Sequence, residues 1–266
     1  MKLVVIASII SLFTFSAEAG TFVEDFDNNF GVWQEFLMGK AVPGSWKIVK
    51  GELHAVSPDG WTRLLTVGDD TWRDYTIEFD VKPLKKPGHG NIAIAARISG
   101  DWAVWCMIGD HPSPKNISAA FCAAGNFRDP SPLFFFGREF HRPLELKKWS
   151  KLKLSVEGNI LNFWINGKHA LGPVQLPNHQ TFRQRDENRR RHNEKDHAGE
   201  NLPELRPMRL DGFQDFLTGA AGLGLANQTV RFDNVVITGN SIPINDGLSV
   251  TPKAKLATVW GSLKRF

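Results

Sequence analysis

Residues 149–168, WSKLKLSVEGNILNFWINGK, decide how this chain folds. Leu152, Leu154 and Val156 alternate with Lys151, Lys153 and Ser155, and beyond Gly158-Asn159 the alternation resumes, Leu161, Phe163 and Ile165 against Asn162, Trp164 and Asn166. Period-2 alternation marks a half-buried strand. A two-residue turn at Gly158-Asn159 then pairs Val156 with Leu161, Leu154 with Phe163 and Leu152 with Ile165. One face of this hairpin is apolar. The other sets Lys153 opposite Trp164 and Ser155 opposite Asn162, which makes it either a solvated surface or a platform on which a ligand stacks.

The same alternation extends along the chain. Strands are predicted over residues 21–26, 45–49 and 52–56, the last two around Lys50-Gly51. Residues 71–82 put Tyr75, Ile77, Phe79 and Val81 inward and Asp74, Thr76, Glu78, Asp80 and Lys82 outward. Residues 91–99 put Ile92, Ile94, Ala96 and Ile98 inward, with Ala93, Ala95 and Arg97 outward. Further strands fall at 102–108, 117–124, 219–225 and 230–238. Many short strands, frequent turn signals and little helix predict an all-β, two-sheet antiparallel jelly-roll sandwich over residues 20–240. Residues 177–207 are polar without a sustained period and read as an inserted loop, with a frayed helix near 183–195 and nothing to give to a core. Residues 128–142 read as loop; there Phe134-Phe135-Phe136 either plugs one end of the sandwich, the simpler expectation, or lines a pocket rim. In the tail, residues 241–266, Leu256, Val259 or Trp260, and Leu263 recur at helical spacing, as a docking helix or an unstructured end.

With 266 residues, 42% hydrophobic and 23% charged, the composition is that of an ordinary globular protein. Lys2, an apolar run over 3–15 and Ala17-Glu18-Ala19 have the order of a secretory signal peptide, residues 1–19, so a secreted or periplasmic protein starting at Gly20 is expected. No later segment is apolar for long enough to predict a membrane span. In an exported protein Cys106 and Cys122 can be joined. They sit in two apolar runs that read as a long-looped hairpin, and a symmetric register brings them together, either as a disulfide or as two buried thiols. The net charge of +4 does not point to nucleic acid, because the dense basic run Arg189-Arg190-Arg191 is surrounded by Asp186, Glu187, Glu194, Asp196 and Glu200. No Ser-His-Asp set, phosphate loop, Cys-His nucleophile or zinc-protease motif is present.

Several short motifs, in their order, resemble the concanavalin-A-like lectin/glucanase superfamily, and within it the laminin-G-like and 3-keto-disaccharide hydrolase branch. They are Phe22-Val23-Glu24-Asp25-Phe26 with Trp33, Trp46-Lys47-Ile48 with Gly51-Glu52-Leu53, and Asp74 to Val81. Trp149, Trp164-Ile165-Asn166-Gly167, Gly219-Ala220-Ala221-Gly222-Leu223 and Arg231-Phe232-Asp233-Asn234-Val235 follow. The resemblance covers most of residues 21–239. It implies two curved antiparallel sheets, adjacent first and last strands, and ligand chemistry on the concave sheet.

Candidate site residues come from the outward faces. Glu78 and Asp80 project from one strand face with Cα atoms roughly 6.5–7 Å apart, the scale at which paired carboxylates cleave glycosidic bonds. Family 16 glycoside hydrolases, which resemble this arrangement, carry a further Glu on that strand where this chain has Lys82 and Pro83. The plainer reading is a charged strand face. Arg97, Trp105, Asn162, Trp164 and Lys153 are candidate ligand-binding residues: an aromatic ring stacks on the C–H face of a sugar while polar neighbours bond its hydroxyls. Arg97 is alternatively an ion-pair partner of Glu78 or Asp80. Trp102 and Trp105 fall on opposite faces, so only one of them is expected inside. Trp33, Trp46, Trp72 and Trp149 are expected at strand ends or in the core. His89, His111 and His141 fall in loops, where they either rim the site or are only solvated. Glu24, Asp25, Asp27 and Asp233 would offer oxygen ligands to a structural calcium ion if the first and last strands pair; no cofactor is otherwise called for.

These observations predict a secreted carbohydrate-binding, lectin-like module whose partner is a glycan or other extracellular ligand. The alternatives are a sugar-processing hydrolase of the 3-keto-disaccharide type, acting on glycosidic bonds, and a laminin-G-like adhesion module.

Overall fold

The 149–168 hairpin folds in the predicted register. In the computed structural model, Leu152 pairs with Ile165, Leu154 with Phe163 and Val156 with Leu161, while Lys153 faces Trp164 and Ser155 faces Asn162. The structure describes residues 20–27, 31–110, 118–129, 133–196 and 208–243. The proposed signal peptide, the loop that carries His111 and most of the C-terminal tail lie outside these residues.

The strands are β1 (Gly20–Glu24), β2 (Gln34–Leu37), β3 (Ser45–Val49), β4 (Glu52–Val56), β5 (Arg63–Val67), β6 (Tyr75–Lys85), β7 (Asn91–Ser99) and β8 (Trp102–Asp110). They continue with β9 (Ser118–Asn126), β10 (Leu133–Phe140), β11 (Ser150–Glu157), β12 (Ile160–Ile165) and β13 (Lys168–Gln175). Helix α1 (His179–Asp196) precedes β14 (Ala220–Ala226) and β15 (Thr229–Gly239). Sheet A runs β13-β12-β11-β6-β15-β4-β3, with β1 also on β15; sheet B runs β10-β9-β8-β7-β14-β5-β2. All pairings are antiparallel, and the first and last strands are neighbours, Phe22 against Ile237. The fold is the all-β sandwich that the alternation predicts.

The two sheets differ in how they are buried. In β6, β11 and β12 buried and half-buried residues alternate, so sheet A has one inner and one outer face. In β7, β8 and β9 almost every residue is buried. Their inner residues join the main core with Phe79, Leu154 and Phe232. Their outer residues form a second cluster, in which Ala93, Ala95, Trp105, Met107, Phe121 and Ala123 pack with Phe36, Leu64 and Phe127. Trp102 and Trp105 are therefore both buried, one in each cluster. Only one of them was expected inside, because that expectation gave sheet B a wet outer face. Cys106 and Cys122 are register partners and are joined by a disulfide.

Two segments read mainly as loops carry regular structure, the first where a frayed helix was expected near 183–195. Residues 179–196 form α1, capped by Asn178: Thr181 N donates to Asn178 Oδ1 at 2.9 Å, and Asn178 N to Thr181 Oγ1 at 3.4 Å. Contrary to the expectation that this segment gives nothing to a core, Phe182 is fully buried among Trp102, Phe134 and Phe213. One anchoring ring docks the helix, so no apolar period is needed. The Phe134–Phe136 run lies in edge strand β10, not in a loop, and alternation divides its roles. Phe134 packs against the core, whereas Phe135 faces out.

Candidate functional site

Most of the residues singled out in the sequence meet on the outer face of sheet A. Glu78 lies opposite Lys153 and Asp80 opposite Lys151. Lys151 Nζ stands 3.5 Å from Glu78 Oε1 and 3.1 Å from Asp80 Oδ1, so one lysine bridges the two carboxylates. Asn234 sits in a bulge of β15 at φ 52° and donates Nδ2 to Asp80 Oδ2 at 2.9 Å. Half-exposed pairs of this kind contribute roughly 0–1 kcal/mol. Beside them the Lys153 ammonium lies 5.5 Å from the centre of the Trp164 ring, and the His169 ring meets that indole at 5.3 Å. His169 Nε2 is 3.1 Å from Asn162 Oδ1. Lys153, Asn162 and Trp164 thus form one patch, together with a histidine that the sequence reading did not single out.

Trp149, expected at a core or strand-end position, stands partly exposed just before β11 with the Lys82 ammonium 5.2 Å from its ring. With Glu52, Asp80, Lys151, Asp233 and Asn234 it borders an open cavity of about 420 Å³. Glu24, Asp25 and Asp27 lie at the end of β1. Glu24 Oε1 accepts from Phe26 N and Oε2 from the Trp33 indole, at 2.8 and 3.3 Å. Burial pushes the Glu24 carboxyl above its usual range, against those two hydrogen bonds. Among the described residues no group of three or more His, Cys, Asp or Glu side chains is placed to hold a metal ion.

Arg97 is not on a wet face. It takes φ 54° at a bulge in β7, which turns its side chain away from the file of Ala93 and Ala95. It is 1% exposed and bonds Asp74 Oδ1 and Gly158 O, both at 3.2 Å, as well as Leu217 O. Its ion-pair partner is Asp74, not Glu78 or Asp80. Its backbone N–H donates to the Tyr75 hydroxyl at 2.9 Å. Burial pushes the Tyr75 pKa up, so that hydroxyl stays protonated and serves the carbonyls of Gly219 and Ala220. Arg97 ties β7 to three other parts of the chain, at Asp74-Tyr75, Gly158 and Leu217.

A second, larger concavity of about 630 Å³ lies on the outer face of sheet B, with Trp105 in its floor. Met107 and Phe121 continue the floor; Met38, Trp61, Leu133 and Phe135 form apolar walls; Asp59, Thr62, His89, Asn91 and Asp110 supply polar groups. Trp61 is 40% exposed, and its ring lies over Gly39, where φ is 54° and a Cβ would come within 2.7 Å of the indole. Arg63 is fully buried behind this wall. It donates to Val42 O and Trp61 O at 3.0 and 3.1 Å, to Ser57 Oγ, and to Asp59 Oδ2 at 2.9 Å. The wall that holds Trp61 and Asp59 is therefore built around a buried guanidinium.

On the opposite rim Asp110 accepts from Lys86 Nζ at 2.6 Å and from Gly90 N at 3.1 Å, and its Oδ2 is 3.5 Å from His89 Nδ1. Burial alone would raise this carboxyl, but those hydrogen bonds and the Lys86 and His89 charges outweigh it and hold it below the usual range. Of the residues named from sequence, the ligand candidate Trp105 lines this pocket, together with His89 and Phe135, each of which was offered as a possible rim residue. Trp61, Asp110 and Arg63 were not singled out from sequence because each stands in or beside a connection. The available signal was the unbroken apolar run of β7–β9, which implies that something covers the outer face of sheet B.

No curated protein matches the chain. The structure is similar to the carbohydrate-binding module CBM66 from Bacillus subtilis, at 14% identity and a TM-score of 0.45, over 77% of this chain and 93% of that one. It is also similar to a Bacillus subtilis protein of unknown function with a galectin-like fold, at 12% identity and a TM-score of 0.49, over 82% and 96% of the two chains. The Emp47p carbohydrate recognition domain matches at 10% identity and a TM-score of 0.47, over 84% and 96%. The model of the 3-keto-alpha-glucoside-1,2-lyase-like domain matches residues 21–238, from the first strand of the sandwich to the last, and the chain belongs to that family.

Proposed function

We propose that this protein binds a carbohydrate in the pocket on sheet B. The observation that carries the reading is a cavity of about 630 Å³ that combines exposed aromatic rings with a polar rim. Trp61 offers a ring that a pyranose can cover with its C–H face, while Asp110, His89 and Asn91 stand where sugar hydroxyls need partners. Ionised Asp110 is a strong acceptor, and its bonds to Lys86 and Gly90 fix its direction. Glycan-array screening followed by calorimetry tests the reading. Trp61→Ala should weaken binding by roughly 1–3 kcal/mol without loss of the fold, since its ring is already partly in water. Equal affinity of wild type and variant would move the site elsewhere, first to the Trp164 patch on sheet A.

A second reading is favoured by the family match and by the His89–Asp110 contact at the rim. In a 3-keto glucoside the carbonyl acidifies the C2 proton, and its removal with departure of the C1 oxygen breaks the glycosidic bond. That chemistry asks for a base near C2 and a proton donor near C1. His89, exposed and paired to Asp110, is the candidate base. Turnover of 3-keto glucosides that is lost in His89→Gln, with the fold intact, would establish the enzyme. Turnover lost instead in Glu78→Gln or Asp80→Asn would assign it to sheet A.

Export belongs to the same proposal. It is supported by the charged, apolar and small-residue order of residues 1–19 and by the disulfide between Cys106 and Cys122. Mass spectrometry of the exported protein should find Gly20 at the N-terminus, and an intact Met1 in that fraction would refute it.

A further inference from the structure

The pocket on sheet B has two chemically different ends, which the strand register separates. Asn91 pairs with Gly109, so the start of β7 meets the end of β8, and His89, Asn91 and Asp110 gather there. Thr62 joins them, its Oγ1 3.5 Å from Asn91 Oδ1. Further along the same strands, Trp105 and Phe135 are both register partners of Ala123, and the Phe121 and Phe135 rings lie 6.3 Å apart. Leu133 stands beside them on β10.

A bare saccharide fits this distribution poorly. Hydroxyl groups ring a pyranose, and each one buried without a partner costs about 1–3 kcal/mol. A second sugar ring against Phe121, Leu133 and Phe135 would bury hydroxyls there, whereas an aromatic group gains from the same contact. The cavity is also at the scale of a ligand larger than one hexose. We propose that the pocket selects glycosides with an apolar, aromatic aglycone, the sugar at the Asp110 end and the aglycone over Trp105, Phe121 and Phe135. This rests on the carbohydrate-binding reading and specifies its ligand class.

Calorimetry with the purified protein tests it, using methyl and phenyl α-glucosides, the 3-keto form of each, and phenol. In whichever sugar series binds, the phenyl glycoside should bind about tenfold or more tightly than the methyl glycoside, from the added apolar area. Phe135→Ala should shrink that ratio to about threefold or less. Its ring is half-exposed, so the variant is expected to fold, and Leu133→Ala provides an independent probe of the same end. Methyl and phenyl glycosides of equal affinity would overturn the aglycone proposal and leave carbohydrate binding standing. Phenol bound as tightly as the phenyl glycosides would remove the sugar end. If no glucoside of either series binds, both readings fall.

Discussion

The outer faces of the two sheets are built from the same kind of strand and have become opposite kinds of surface. On sheet A, Lys151, Lys153, Glu78, Asp80 and Trp164 stand half-exposed and neutralise one another across the ladder. On sheet B, Ala93, Ala95, Trp105 and Met107 lie beneath other groups, and a pocket of about 630 Å³ remains open. Sheet A shows its side chains to water, where ion pairs contribute little. Sheet B hides its outer face beneath connections, where an aromatic group is desolvated and a polar one needs a fixed partner. A charged, aromatic-bearing strand face therefore advertises itself in a sequence, whereas the pocket on sheet B is assembled from residues without a pattern.

The largest expected difference between the faces is in stability. Trp105→Ala should destabilise the protein by about 3–5 kcal/mol, as expected for a buried aromatic in a packed cluster, and denaturant unfolding measures it. A cost below 1 kcal/mol would mean that the second cluster is loose and that sheet B is as wet as sheet A.

Next in size is Asp110→Asn, which loses the charge in the hydrogen bond from Lys86 and should cost about 1–2 kcal/mol near neutral pH. The sign with pH follows from the depressed carboxyl. Its stabilisation is complete above the usual carboxylate range and is lost as pH falls through that range toward the folded-state pKa. Thermal midpoints of wild type and variant should therefore converge below about pH 4. A constant gap down to pH 2 would contradict an ionised Asp110. Glu24, whose carboxyl is raised by burial, works in the opposite direction: it destabilises when ionised, so protonation on the acid side favours the fold.

Trp164→Ala should cost only about 1 kcal/mol or less, because the indole is partly solvated and held mainly by Lys153 and His169. A loss matching that of Trp105→Ala would erase the distinction between the faces. The smallest effect is expected for Glu78→Gln and Asp80→Asn, within about 0.5 kcal/mol each and without change in ligand binding. Abolished turnover in either would make sheet A the working face.

How legible the molecule is in its sequence depends on how local each feature is. The Ser45–Val49 and Glu52–Val56 strands, the 149–168 register and the inward file of Tyr75, Ile77, Phe79 and Val81 follow from alternation over a few residues. Strands β2, β5, β10 and β13 were missed, being short, at a sheet edge among prolines, or interrupted by Arg63, Gly172 and Pro173. Arg63 misleads a local reading most, since a charged residue at the head of a strand is expected in water. Here two connections, one supplying Val42 and the other Ser57 and Asp59, meet its guanidinium.

By itself the sequence determined that the chain is a two-sheet β-sandwich, which residues of most strands face the core, and that its motifs follow the order of one family. Period-2 alternation suffices for these, because burial of one face is decided strand by strand. Tertiary structure alone decided that Arg97 turns inward at a bulge, that Phe182 anchors α1, and that Trp61, His89 and Asp110 come together above Trp105. These groups reach one another only once seven strands are laid side by side, and no local periodicity records a meeting between connections brought together by the closing of a sheet.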